Sequence, residues 1–64
     1  MKIVKKANEL EIHFDEKVVK LRGHQDKDAF SLFTESLETN KLLSQKERES
    51  ILSELHNRND IVVR

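Results

Sequence analysis

Sixty-four residues without cysteine make one domain, 1–64, near the lower limit for independent folding, and they exclude disulfide staples and thiolate metal sites. Twelve basic and twelve acidic side chains cancel. Their uneven division, six Lys/Arg against four Asp/Glu in residues 1–22 and six against eight in 23–64, is too mild to steer a nucleic acid or a membrane strongly.

Taken in chain order, a short strand at residues 2–6 (Lys-Ile-Val-Lys-Lys) comes first and turns at Ala7–Asn8, where Asn tolerates positive φ. Residues 9 to 22 then carry two strand patterns that lock in one register. With Asp15–Glu16 as a two-residue turn, Phe14 faces Lys17, Ile12 faces Val19 and Leu10 faces Leu21 on one side. On the other side Glu11 faces Lys20 and Glu9 faces Arg22. A slip of one residue would destroy both matches. Continuing the register sets Ile3 beside Ile12 and Lys6 beside Glu9, so a row of alternating sign crosses three strands. Lys5 is expected to point inward, as a guard against unwanted edge pairing.

Gly23 is expected to close the third strand. Asp26 and Asp28 sit where helix caps and first-turn acids belong, and Ala29, Phe30, Phe33 and Leu37 share one helical face, predicting a helix over about 26–39. Ser44-Gln45-Lys46-Glu47 matches a capping box, predicting a second helix over 45–57 that buries Ile51, Leu52 and Leu55. Glu54 precedes Arg58 by four, the favourable ion-pair order. Asn57 to Asp60 breaks the helix, and Ile61-Val62-Val63 returns to the sheet. The expected architecture is α+β, βββααβ, a three- or four-stranded mainly antiparallel sheet with two helices on one face.

Chemistry is sparse. His13, His24 and His56 form no ligand pattern with one another or with carboxylates, so no metal and no cofactor are expected. Serines 31, 36, 44, 50 and 53 fall in or next to the expected helices, Ser44 already serving as a cap, and one glycine cannot build a phosphate loop. The expectation is a protein without enzymatic activity and without a small-molecule substrate. No apolar run approaches the ~20 residues of a membrane span, and the N-terminus lacks a secretion signal, so cytoplasmic residence without membrane contact is expected. A core of Leu, Ile, Val and three Phe supplies rarely more than ~3–5 kcal/mol, which makes a homodimer or a protein partner the expectation.

Two surfaces compete as the binding site. Glu35, Glu38, Glu47, Glu49 and Glu54 on the helices suit a basic protein partner, with exposed Val4, Val18, Leu32 or Leu42 as its apolar centre. Lys2, Lys6, Lys20 and Arg22 near the sheet suit a nucleic acid. Against that second reading, the ladder sets Glu9 and Glu11 among the cations, and all three phenylalanines fit buried positions rather than stacking platforms.

The succession of the Lys2–Asn8 hairpin entry, Glu9–Phe14, Val18–Arg22, a Phe-bearing helix, Leu43-Ser44-Gln45-Lys46-Glu47-Arg48-Glu49-Ser50-Ile51-Leu52 and Ile61–Val63 resembles, in layout, a family of small bacterial immunity proteins from polymorphic toxin systems. The resemblance implies a non-enzymatic protein that neutralises a cognate toxin by stoichiometric binding. It transfers no functional residue.

Overall fold

The computed structural model describes all of residues 1–64. Its elements are β1 (Lys2–Lys5), β2 (Glu9–His13), β3 (Val18–Asp26), β4 (Ala29–Leu32), α1 (Thr34–Glu38), α2 (Gln45–His56) and β5 (Ile61–Val63). The fold is α+β, but four strands precede the helices where βββααβ has three. The sheet has five strands in the order β1-β2-β3-β4-β5, not three or four. Neighbours are antiparallel except β4 and β5, which run parallel because the helical segment carries the chain back across the sheet.

The first three strands follow the alternation in the sequence. Phe14 N–H donates to Lys17 O at 2.8 Å across the Asp15–Glu16 turn. The ladder then pairs Ile12 with Val19, Glu11 with Lys20, Leu10 with Leu21 and Glu9 with Arg22. Ile3 lies opposite Ile12, and Lys6 N–H closes the first hairpin on Glu9 O at 2.9 Å. Leu10, Ile12, Val19 and Leu21 are fully buried on the concave face of the curled sheet.

The structure departs from expectation at Gly23, which does not end β3. The strand runs on to Asp26 and pairs with β4, where Phe30 and Leu32 alternate inward between Ala29 and Ser31. Gly23 is buried beneath Phe30. A Cβ there would collide with ring atoms Cε1 and Cζ of Phe30 and with the carbonyl oxygen of Ser31. Only a residue without a side chain lets that ring lie against the strand. Asp26 therefore ends a strand and Asp28 sits in the hairpin turn instead of capping a helix, and Lys27 takes φ 55°, in the left-handed region.

The helix expected over 26–39 shrinks to Thr34–Glu38 with Phe33 at its N-cap and Leu37 buried. Phe33, expected in the core, is 46% exposed, whereas Leu32, expected at the surface, is fully buried, and Ser31 belongs to a strand. The reason is a competition of periods. Ala29, Phe30, Phe33 and Leu37 satisfy helical spacing, but Phe30 and Leu32 satisfy strand spacing, and pairing with both β3 and β5 satisfies their backbone as well.

Helix α2 forms as its sequence dictates. Ser44 Oγ accepts from Glu47 N–H at 3.2 Å and Glu47 Oε1 accepts from Ser44 N–H at 3.0 Å, the reciprocal capping box. Ile51 and Leu55 point into an eleven-residue cluster with Leu37, Leu43, Ile61 and the inner faces of β2, β3 and β4, while Leu52 stays half-buried against it. Arg58 pairs with Asp60 through two bonds of 2.9 and 2.8 Å, and not with Glu54. Lys5 points inward as expected. Its ammonium reaches Asp60 at 3.2 Å and the Asp28 carbonyl at 3.4 Å, tying the first strand to the entry of the last. No helix is long and apolar enough to cross a membrane.

Candidate functional site

On the convex face, the ladder places Glu11 opposite Lys20 and Glu9 opposite Arg22, yet neither couple closes to an ion pair. Glu11 instead meets His13 Nε2 at 3.2 Å on its own strand. The ion pairs are Lys5–Asp60, Lys17–Glu47 and Arg58–Asp60, beside the His13–Glu11 hydrogen bond. Lys2, Lys6, Lys20 and Arg22 take part in none of them. The register is as expected, but its charges stand opposite one another across the solvent without contact, where attraction is weak and side-chain entropy opposes closure.

Phe33 completes this surface. Its N–H donates to Arg22 O at 3.0 Å, so it continues the row Lys6–Glu9–Arg22 by one strand position. Ser36 Oγ accepts from Arg22 N–H at 3.0 Å, anchoring α1 to the same point of β3. Between β3 and α1 lies an open groove of about 320 Å³ lined by Lys20, Arg22, Phe33, Glu35, Ser36, Thr39 and Asn40. Two cations and an exposed aromatic ring thus share a groove with one carboxylate.

The acidic candidates do not form one patch. Glu35 faces the groove just described. Glu47 is consumed by structure: it takes the Ser44 N–H and Lys17 Nζ at 2.9 Å, and these bonds, the backbone one first, hold its carboxyl below the ordinary range. Glu54 is exposed on α2 and makes no ion pair.

Glu38 and Glu49, one from each helix, do come together. They flank an open cleft of about 280 Å³ whose other walls are Thr34, Leu37, Gln45, Arg48 and Leu52. Neither carboxylate is ion-paired. The one cation in the cleft, Arg48, is turned back so that its Nη2 donates to Asn40 O at 2.9 Å, and its buried Nε has no partner. Leu37 and Leu52 give the cleft an apolar floor between two free carboxylates, the chemistry that accepts a Lys or Arg side chain by its stem and its head. Of the apolar residues expected at an interface, Val18 and Leu42 are exposed at 46% and 61%, while Val4 is half-buried.

Asp60 is the most perturbed carboxylate. The hydrogen bonds from Arg58, aided by Lys5, hold it well below the usual range, and Asp60 in turn raises the Arg58 guanidinium. This cluster joins β1 to β5 and is architectural. No group of three or more His, Asp or Glu side chains is placed to hold a metal ion.

Phe33 is the residue that sequence reasoning missed. The signal was the alternation Phe30–Leu32, which, read as a strand, sends the next residue outward. Comparisons with protein-family models, curated proteins and solved structures give no significant match to the chain.

Proposed function

We propose that this protein is a non-catalytic binding module acting stoichiometrically on a protein partner, in the manner of an inhibitor or immunity protein, and that the partner presents a basic segment to the cleft between α1 and α2. The observation that carries this reading is the convergence of unpaired Glu38 and Glu49 over the Leu37–Leu52 floor. Charge at such a site sets association rate and selectivity, and the apolar floor supplies desolvated contact.

The test is capture of partners from the native host by the wild type and by a Glu38→Lys/Glu49→Lys variant. Both residues are exposed, so the variant keeps its fold. A partner retained by the wild type in one-to-one ratio and lost by the variant supports the reading. Equal retention by both removes the cleft from it.

A second reading is favoured by a specific observation. Lys2, Lys6, Lys20 and Arg22 are free of ion pairs and Phe33 is exposed beside two of them, which suits single-stranded nucleic acid. Titration of labelled single-stranded DNA and RNA at low and moderate salt decides it. Binding that weakens with salt and with Phe33→Ala supports it, and no binding at low ionic strength eliminates it.

A further inference from the structure

Strand β3 is flanked on both sides only along its second half. From Gly23 to Asp26 it lies between β4 and the backbone of the Ala7–Asn8 turn, but at Val18–Leu21 it has β2 on one side and no strand on the other. The bonds from Phe14 to Lys17 and from Gly23 to Asn8 show that odd-numbered positions of this hairpin's return strand exchange hydrogen bonds with β2. Arg22, an even position, turns its N–H to Ser36 Oγ and its carbonyl to Phe33 N–H on the opposite side. By the same parity the N–H and C=O of Val18 and Lys20 point away from β2 to the open side, where no backbone group meets them. Such an edge is a template for another strand.

Exposed apolar side chains gather at this edge. Val18 is 46% exposed on the convex side. Leu42, 61% exposed, is fixed beside the start of the strand by the 2.7 Å bond from Lys17 Nζ to its carbonyl. We propose that the edge pairs antiparallel with the same edge of a second copy, about a two-fold axis through Val18.

The register follows from charge and from available space. With the axis at Val18, the two Val18 residues face each other and Lys20 stands opposite the second copy's Glu16, twice by symmetry. The free backbone groups of the two Val18 residues gain each other as partners, and those of Lys20 lie beside the second copy's Asp15–Glu16 turn. Asp15 falls opposite Leu21, after which the second copy's chain has turned away, leaving the Phe33 position beside Arg22 undisturbed. An axis at Lys20 would oppose Lys20 to itself. An axis at Val19 would drive Glu16 into the place that Phe33 occupies. The unpaired cation Lys20 and the acidic residue Glu16, both exposed in one copy, are therefore the two halves of one interface.

The test is sedimentation equilibrium of the full chain from roughly 1 µM to 1 mM, which spans the affinities that a small polar interface gives. Dimer formation in that range is expected, with the Val18 and Lys20 amide resonances shifting on dilution. Val18→Pro removes an N–H that bonds nothing within the chain, so it is expected to stay folded by circular dichroism and to be monomeric. Lys20→Glu should weaken the dimer about tenfold, and Glu16→Lys/Lys20→Glu should restore it. Should Val18→Pro fail to fold, the Lys20→Glu and double-swap pair decides alone. A wild type that is monomeric throughout overturns the proposal, as does a dimer whose affinity ignores the charge variants.

Discussion

Replacing Gly23 with Ala probes the contact that turned the expected helix into a strand. Gly23 lies under the fully buried Phe30, and an added methyl group would overlap the ring at Cε1 and Cζ and the Ser31 carbonyl. The ring belongs to the eleven-residue core and has no void to retreat into without displacing neighbours, and a carbonyl fixed in the β3–β4 ladder moves only with its strand. Overpacking of this kind costs about 1–3 kcal/mol. Because the Gly23 backbone is ordinary extended strand, the substitution also recovers about 0.5–1 kcal/mol of unfolded-chain entropy. Because a backbone carbonyl as well as the ring is in the way, the cost falls in the upper half of that range and the balance is a loss of about 1–2 kcal/mol, a large share of the ~3–5 kcal/mol that a core of this size supplies. Urea unfolding followed by far-ultraviolet circular dichroism measures it. With a slope near 1 kcal/mol/M for so small a domain, the midpoint should fall by about 1–2 M. In a Phe30→Leu background, which removes the ring edge, the same Gly23→Ala step should cost less, and the double-mutant cycle isolates the contact. An unchanged or raised midpoint for Gly23→Ala alone would refute the packing described for β3 and β4.

Ser44→Ala removes the hydroxyl that accepts the Glu47 N–H and should lower stability by about 0.5–2 kcal/mol, seen as a reduced urea midpoint with unchanged slope. Lys27→Gly relieves a side chain held at φ 55° and should raise the thermal midpoint, corresponding to as much as about 1 kcal/mol. Glu47 and Asp60 are both held below the ordinary carboxylate range in the folded protein. In the unfolded chain these groups take up protons near pH 4, before the folded protein does, so the stability they contribute is present above about pH 4 and is lost as pH falls below it. Urea midpoints at pH 7, 5 and 3 should therefore be similar at the first two and lower at the third. Asp60→Asn should flatten that decline, because the ion pairs to Lys5 and Arg58 no longer titrate.

Neighbouring residues settle part of this fold among themselves. The β2–β3 hairpin is such a case. Its register is set by a two-residue turn and by alternation on both faces, and both conditions are local and redundant. The capping box of α2 is another, because Ser44 and Glu47 satisfy each other's backbone within a single turn. Of the candidate site, only the presence of free charges was legible. Which carboxylates stand free, Glu38 and Glu49 and not Glu47, depends on Lys17 reaching α2 from a distant hairpin. Residues 26–33 could be read with either period, and nothing within them breaks the tie. There is no Gly or Asn at Lys27–Asp28 to announce a turn. The choice was made by partners remote in sequence: Gly23 offering a flat place for Phe30, and β5 offering a second backbone to pair with. A strand needs hydrogen-bonding neighbours that a helix finds within itself, so its existence is a property of the assembled sheet. Long-range packing made that choice, and with it set the outward turn of Phe33 and the open edge of β3.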